Sequence, residues 1–354
     1  MKKIKDFADE INKCSKCGLC QSVCPVFKET GNDCAVSKGK FIMLDGVLKG
    51  DLELNQNINK YLDLCLKCGK CKDFCPSSID VCEIFAAAKC EYFNKTTKNK
   101  FISFLQSKFV FSNFVNVAKA LSNPFRRKSL KGKAKLLYFK GCVNNVWPAV
   151  ENAVKKVLEN LDVELIEQDF DCCGMPFLSS GNGKRFEQAK AKNLKIIRET
   201  DFDYILTDCA SCESTLKTYT DAKFINIAEF ISKQNKRFIF DTPVKVTFHK
   251  PCHMENADFL KQLFEKCENL EYVEMEGYDD CCGLAGEFVL HNPKISAAIA
   301  KRKAEHIRQT QADYVLTACP ACVMGLIEGL ALTHGKNIKV MNIIEFLAKA
   351  KTMG

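Results

Sequence analysis

Two stretches of this 354-residue chain share one rhythm. KCSKCGLCQSVCPVF, from Lys13 to Phe27, and LCLKCGKCKDFCPSS, from Leu64 to Ser78, both read Cys-x-x-Cys-x-x-Cys-x-x-x-Cys-Pro. Three thiols at i, i+3 and i+6 wrap a short loop around the corner of a metal cluster, and a fourth, followed by proline, leaves in another direction. Pro25 and Pro76 stiffen the departing chain and remove an N–H that would need a partner. Zinc competes for such thiols, but a structural zinc site usually takes two Cys-x-x-Cys knuckles and leaves a third cysteine on the same beat without a role. Disulfides compete as well, since the chain carries 22 cysteines. Its N-terminus, MKKIKDFADEINKC, has neither an apolar signal core nor a small-residue cleavage site. A reducing, cytoplasmic setting is therefore expected, where clustered cysteines hold metal more often than they bridge.

The doubled run follows the bacterial two-cluster ferredoxin pattern, in which the fourth cysteine of each run ligates the other cluster. That pattern implies one cubane 4Fe–4S cluster on Cys14, Cys17, Cys20 and Cys75, and a second on Cys65, Cys68, Cys71 and Cys24. The 40 residues between Cys24 and Cys65 are too many for a compact β-rich ferredoxin. They carry Ile42, Leu44, Val47 and Leu48 at helical spacing, so residues 1–90 are expected to form a helical two-cluster module.

Residues 91–134 form a basic connector. From Tyr92 to Val150 there are twelve Lys or Arg and no Asp or Glu, so the rest of a chain of net charge +9 is acidic. Global basicity is absent, and nucleic acid is not expected as a partner. Phe101, Phe104, Leu105, Phe111, Phe114, Val115 and Leu121 fall near one face of a helix. Ser103, Gln106, Lys108, Asn113 and Lys119 interrupt it too often for a membrane span. Such a helix either docks on a neighbouring domain or lies, as a basic amphipathic element, against a partner or the inner face of a membrane.

From Lys135 the chain says nearly the same thing twice. KLLYFKGC ends at Cys142 and VKVTFHKPC at Cys252, DCCG begins at Asp171 and again at Asp280, and DYILTDCASC from Asp203 matches DYVLTACPAC from Asp313. The matched cysteines are offset by 110, 109, 109, 110 and 110 residues. INIAEFISK and MNIIEFLAK close the halves, taken as 135–240 and 241–354. KLLYF, YILT and FINI read as strands and RFEQAKAKNLKIIRET as a helix, an alternation that predicts a mainly parallel sheet in each half. Cys142, Cys209, Cys252 and Cys319 fall just past strand ends, the edge where such folds collect ligands. A helix opening at CESTLKTY would aim its N-terminal N–H groups at Cys209 and Cys212, favouring thiolate and an anionic cluster.

Cys-x29-Cys-Cys-Gly-x34-Cys-x-x-Cys, with its near copy in the second half, resembles the cysteine-rich CCG domain of heterodisulfide reductases and their relatives. With the ferredoxin pair included, the chain is similar throughout, the connector aside, to the iron–sulfur subunit of glycolate oxidase. The layout is also that of the anaerobic glycerol-3-phosphate dehydrogenase small subunit and the heterodisulfide reductase D subunit. DCAVSKGKFIMLDGVLKG through DLCLKCGKCKDFCPSSID carries the glycolate oxidase likeness. The resemblance implies an α+β multidomain chain, a helical ferredoxin module followed by two tandem α/β CCG repeats. It implies two five-cysteine ligand sets, Cys142, Cys172, Cys173, Cys209 and Cys212, then Cys252, Cys281, Cys282, Cys319 and Cys322, each holding a non-cubane 4Fe–4S cluster. One ordinary cubane plus structural thiols is the alternative, so one or two further clusters are expected beyond the ferredoxin pair. Cys34, Cys82, Cys90 and Cys267 are left over and read as buried free thiols.

His249 and His253 flank Cys252 in FHKPCHM, and either is placed to supply a proton near a reduced cluster or a leaving thiolate. A packed, hydrogen-bonded core histidine is the plainer reading of each. SSGNGKRF from Ser179 lacks the Gly-x4-Gly-Lys-Ser/Thr frame and reads as a turn. Neither half opens on a glycine-rich dinucleotide fingerprint, so flavin and nicotinamide sites are expected elsewhere.

The resemblance thus implies an electron-transfer subunit of a flavin-dependent 2-hydroxyacid (glycolate-type) dehydrogenase, partnered by a FAD subunit and serving a quinone or other acceptor. Glycolate-oxidase-type subunits often have incomplete CCG motifs, whereas both are complete here. That keeps a second expectation open: a reductase cleaving a disulfide at the CCG clusters.

Overall fold

The computed structural model describes residues 2–96, 130–146, 148–335 and 337–353. The apolar and basic stretch at 101–129 lies outside the described residues. No helix among the described residues is long and apolar enough to cross a membrane.

The first ninety residues are helical. Ser37–Lys49, Gln56–Asp63 and Val81–Lys95 are the main helices, with short ones at Leu19–Val23 and Lys70–Asp73 directly after the cysteine loops. Each has a local reason to start or stop. Asn55 Oδ1 accepts from the Asn57 and Ile58 amides at 2.9 and 3.3 Å, Asp80 caps Val81–Lys95 through the Glu83 amide, and Ser37–Lys49 ends on left-handed Gly50. Phe41, Leu44, Ile58, Leu62, Ile84 and Phe85 form the small core. Ile42, placed on the apolar stripe by its spacing, is instead exposed, because the buried phase runs through Phe41, Leu44 and Leu48.

The rest is two parallel sheets of matching order. In the first, β1 (Ala134–Phe139), β2 (Val163–Glu167), β3 (Tyr204–Thr207) and β4 (Phe224–Asn226) lie in the order β2-β1-β3-β4. In the second, β5 (Arg237–His249), β6 (Cys267–Tyr272), β7 (Tyr314–Thr317) and β8 (Lys339–Asn342) lie in the order β6-β5-β7-β8. Strand β9 (Lys351–Met353) adds antiparallel to the first residues of β5. The β5–β6 register shifts between Ile239 and Val244, where Pro243 has no N–H to give the ladder. Registers are equivalent across the halves: Tyr138 faces Leu206 as Phe248 faces Leu316.

The halves are not independent bodies. One apolar core joins Leu136, Tyr138, Val154 and Ile231 of the first to Phe248, Leu263, Ile344 and Phe346 of the second. Helix Pro148–Leu158 packs on Ile343–Leu347, and Ile227–Ser232 on Phe259–Phe264, an exchange related by an approximate two-fold axis. FINI is strand only to Asn226. There the Asn226 side chain accepts from the Ala228 amide at 3.0 Å and starts a helix. SSGNGKRF is a turn at Gly181 between Met175–Ser180 and Gly183–Glu199.

Candidate metal centres

The two N-terminal runs fold into matching loops. Lys16 and Gly18 in one, Lys67 and Gly69 in the other, take positive φ (60°, 84°, 53° and 79°), which turns backbone N–H groups inward as anion-binding nests do. Two hollows result. Cys14, Cys17, Cys20 and Cys75 line the first with Phe41, Pro76 and Ile79. Cys24, Cys65, Cys68 and Cys71 line the second with Val26, Leu66 and Phe85. Each hollow thus gathers three thiols of one run and the fourth of the other, and Cys71 borders both. Burial pushes the Cys71 thiol up to about 12 against a 3.1 Å hydrogen bond from Ser37 Oγ, and burial also raises Cys24. Thiols raised by burial stay protonated unless positive charge comes close.

Two side chains here carry no sequence rhythm. Lys40, 1% exposed, donates Nζ to the carbonyls of Ala35 and Leu64 beside Cys24 and Cys65, a fixed cation at the wall of the second hollow. Cys82 also opens onto that hollow. Of the four leftover cysteines, Cys90 and Cys267 are buried, whereas Cys34 and Cys82 are partly exposed.

The ten cysteines of the repeats form one line. Cys142 Sγ lies 3.6 Å from Cys172 Sγ, and hydrogen-bonding contacts continue through Cys173 and Cys212 to Cys209. Cys209 meets Cys319 across the axis. The mirror order follows: Cys322, Cys282, Cys281 and Cys252. Cys209 is the N-cap of helix Ala210–Lys217 and Cys319 that of Pro320–Leu332, so each helix opens at the strand-end cysteine rather than at CESTLKTY. The CCG glycines are required by space and backbone alike. Gly174 has φ +103° and a Cβ there would lie 2.4 Å from Phe186, while Gly283 has φ +88° and a Cβ would lie 2.8 Å from the Ser296 carbonyl.

Both halves of this line match the cysteine-rich CCG domain, at residues 136–217 and 246–327, and residues 10–79 match a 4Fe–4S dicluster domain. The chain belongs to the CCG cysteine-rich-domain family. Among its relatives is one of the subunits of the fumarate reductase (CoM/CoB) of Methanothermobacter marburgensis, 28% identical over 98% of this chain and 74% of that one. The "Probable glycolate oxidase iron-sulfur subunit" of Bacillus subtilis is 21% identical over 91% of this chain and 89% of its own length. A "Lactate utilization protein A" of Lysinibacillus sphaericus is 30% identical over 56% of this chain and 96% of its own.

The CCG thiols fit iron–sulfur clusters by their chemistry. Hydrogen bonds from neighbouring thiols hold Cys173, Cys282 and Cys319 well below the ordinary thiol range, while Cys172, Cys212, Cys281 and Cys322 are pushed well above it. Protons are shared along the line, and full ionisation needs positive charge from outside.

The two predicted histidines part company. His253 Nε2–H donates to the Lys67 carbonyl at 2.8 Å, and Nδ1 pairs with Ser211 Oγ at 2.9 Å. Burial works against its charge, yet the Cys252 thiolate and the Lys67 carbonyl raise it above the ordinary imidazole value. Ser211 also approaches Cys319 Sγ at 3.6 Å, so His253 joins the ferredoxin module to the centre of the thiol line. Ser211 was visible only as the difference between CASC and CPAC. His249 is buried beside Cys282. A cleft of about 1290 Å³ lies between the ferredoxin module and the repeats, and Cys68, Cys82, Cys252 and His253 border it.

Proposed function

We propose that the chain is the iron–sulfur electron-transfer subunit of a flavin-dependent 2-hydroxyacid (glycolate-type) dehydrogenase. It takes electrons from a separate FAD-bearing subunit and passes them toward a quinone or other acceptor, as a peripheral protein on the inner face of the membrane. One observation carries this reading: sulfur is continuous through the molecule. Cys71 borders both hollows, Cys68 of the second feels the charge of Cys252, and from Cys252 the thiols run unbroken to Cys142. Cys14, Cys17, Cys20 and Cys75 would hold one cubane cluster, and Cys24, Cys65, Cys68 and Cys71 the other. The two five-cysteine sets would hold the remainder. When bound, the clusters supply one-electron carriage. Apolar side chains line each hollow, and eight of the ten repeat thiols are buried, while Cys17 of the first hollow is exposed.

The oxygen-free protein should contain about sixteen iron and sixteen sulfide per chain, the content of four 4Fe–4S clusters. It should be reduced by 2-hydroxyacid only when a FAD subunit is present. Colourless protein, or hydroxyacid oxidation by the chain alone, overturns the reading.

The cleft supports a second reading, catalytic reduction of a disulfide. A disulfide entering it would meet Cys252 with His253 beside it, placed to hand a proton to a departing thiolate. Two electrons and two protons convert one disulfide to two thiols. Turnover of a disulfide by the purified chain with reduced viologen, and no flavoprotein, would establish this reading over the first.

A further inference from the structure

At one buried position the two repeats differ in a way that bears on metal. Strand β1 ends in Phe139, paired with Thr207, and β5 ends in His249, paired with Thr317. The two positions are therefore equivalent, and each side chain is at most 1% exposed. Phe139 packs on Phe170 with ring centroids 4.9 Å apart, an ordinary apolar contact. His249 stands in the same place; neither ring nitrogen meets a nitrogen or oxygen partner, and the polar group that bears on the ring is the Cys282 thiol. Buried polar atoms are nearly always well paired, so a fully buried imidazole whose only near polar neighbours are cluster-set thiols is placed as a ligand would be. A nitrogen of His249 and the Sγ atoms of Cys282 and Cys322 lie within 4.8 Å of one another. Both thiols belong to the second five-cysteine set. The first set has a benzene ring at this point and no counterpart.

We propose that His249 is a ligand of the metal centre held by the second repeat. The inference rests on reading the CCG thiols as cluster ligands, and adds that the two centres are inequivalent: thiolate alone in the first repeat, thiolate and imidazole in the second. A neutral imidazole nitrogen is a good ligand for iron and, unlike a thiolate, brings no negative charge. Where histidine replaces thiolate around iron–sulfur clusters, the reduction potential rises. The second centre is accordingly the more easily reduced of the two, and an electron within the repeats resides there.

The test uses the full chain, purified without oxygen and labelled with 15N-histidine, and reads nitrogen hyperfine coupling by pulsed paramagnetic resonance of the reduced protein. Wild type should show a directly coupled imidazole nitrogen whose frequency changes with the label. His249→Phe, which installs the residue of the first repeat, should lose that coupling and move one midpoint potential negative while keeping its iron and sulfide. His253→Gln should keep the coupling, since His253 is spoken for by Ser211 and Lys67. A labelled wild-type protein without imidazole coupling overturns the proposal, whether or not the variant loads, as does coupling that survives His249→Phe. Those outcomes leave the cluster assignment intact. Loss of the assignment itself would appear separately, as iron near the eight atoms of the ferredoxin pair rather than about sixteen.

Discussion

The residue before Cys209 is an aspartate, and the residue before Cys319 is an alanine. Asp208 is 1% exposed and accepts hydrogen bonds from Tyr138 Oη and, at 2.7 Å, from Asn144 Nδ2. At the positions 110 residues further on, all three groups are apolar: Phe248, Met254 and Ala318. The strand registers match, so Tyr138 and Asp208 have strand-equivalent apolar counterparts, although Asn144 lies in helix Gly141–Val146 and Met254 in a turn after Pro251. A buried carboxyl and its donors form a unit, since removing one member strands the others in a low dielectric. The repeats keep the unit or discard it entire.

The sharpest way to break the comparison is at its axis, where Cys209 meets Cys319. If each repeat holds its own centre, Cys209→Ser and Cys319→Ser should each lose about four iron atoms. The two variants should then lose different paramagnetic signals. Identical losses from both would mean a single centre shared across the axis.

Arg185→Ala follows in size. In the first repeat Arg185, buried against the Phe177 ring, donates one terminal nitrogen to both oxygens of Asp171, at 2.7 and 2.9 Å. Truncation leaves a buried carboxylate uncompensated and should cost about 3–5 kcal/mol in urea unfolding of the loaded protein. Asp208→Ala should cost less, about 1–3 kcal/mol, for the buried Asn144 donor that loses its carboxylate acceptor. Adding Tyr138→Phe and Asn144→Met, which completes the second repeat's version, should return most of that loss. A triple variant no more stable than Asp208→Ala would show that the triad is not the unit described.

Much of this architecture is legible in the chain. The two cysteine runs and the repeat offsets specify which thiols belong together, because metal-binding loops are local and their spacing is written in sequence. KLLYF, YILT and the 183–199 helix follow from their apolar periods. What escapes is contact between residues far apart in the chain. Asp208 and Ala318 can be read from DCASC and ACPAC, but the donors to Asp208 stand 64 and 70 residues away and appear only once β1 lies beside β3. Cys82 and Lys40 escape for a related reason. They complete the second hollow from helices whose own patterns are those of ordinary packing. His249 is visible beside Cys252, yet only the folded chain shows that it faces Cys282 and Cys322 rather than its sequence neighbour.

The triad also gives the repeats different pH behaviour. Burial raises the Asp208 carboxyl from 3.8 to about 7, with the hydrogen bonds from Tyr138 and Asn144 opposing the shift. The native state therefore holds a proton that the unfolded chain releases near 3.8. A raised acid stabilises fully below its unfolded value, and that contribution is lost as pH climbs through about 7. Wild type should become less stable between about pH 4 and pH 7 and level off above, and Asp208→Asn should flatten that fall. An unchanged slope in the variant would assign the fall to other groups.

The smallest effect belongs to the aspartate's twin. Asp280 precedes the second Cys-Cys as Asp171 precedes the first, but its partner is Lys70 of the ferredoxin module, at 2.7 Å, which also reaches Asp279 at 3.1 Å. The side chains of Lys70, Asp280 and Asp279 are 20, 37 and 42% exposed, so water screens the pairs that in the first repeat are sealed around Arg185. Lys70→Ala should therefore cost about 0.5–1 kcal/mol, and salt should erase the difference from wild type. The same carboxylate position thus serves two purposes: an internal clamp in one repeat, a hydrated tether to the neighbouring module in the other. A Lys70→Ala cost as large as that of Arg185→Ala, insensitive to salt, would mean that the tether between the ferredoxin module and the second repeat is as dry as the clamp inside the first.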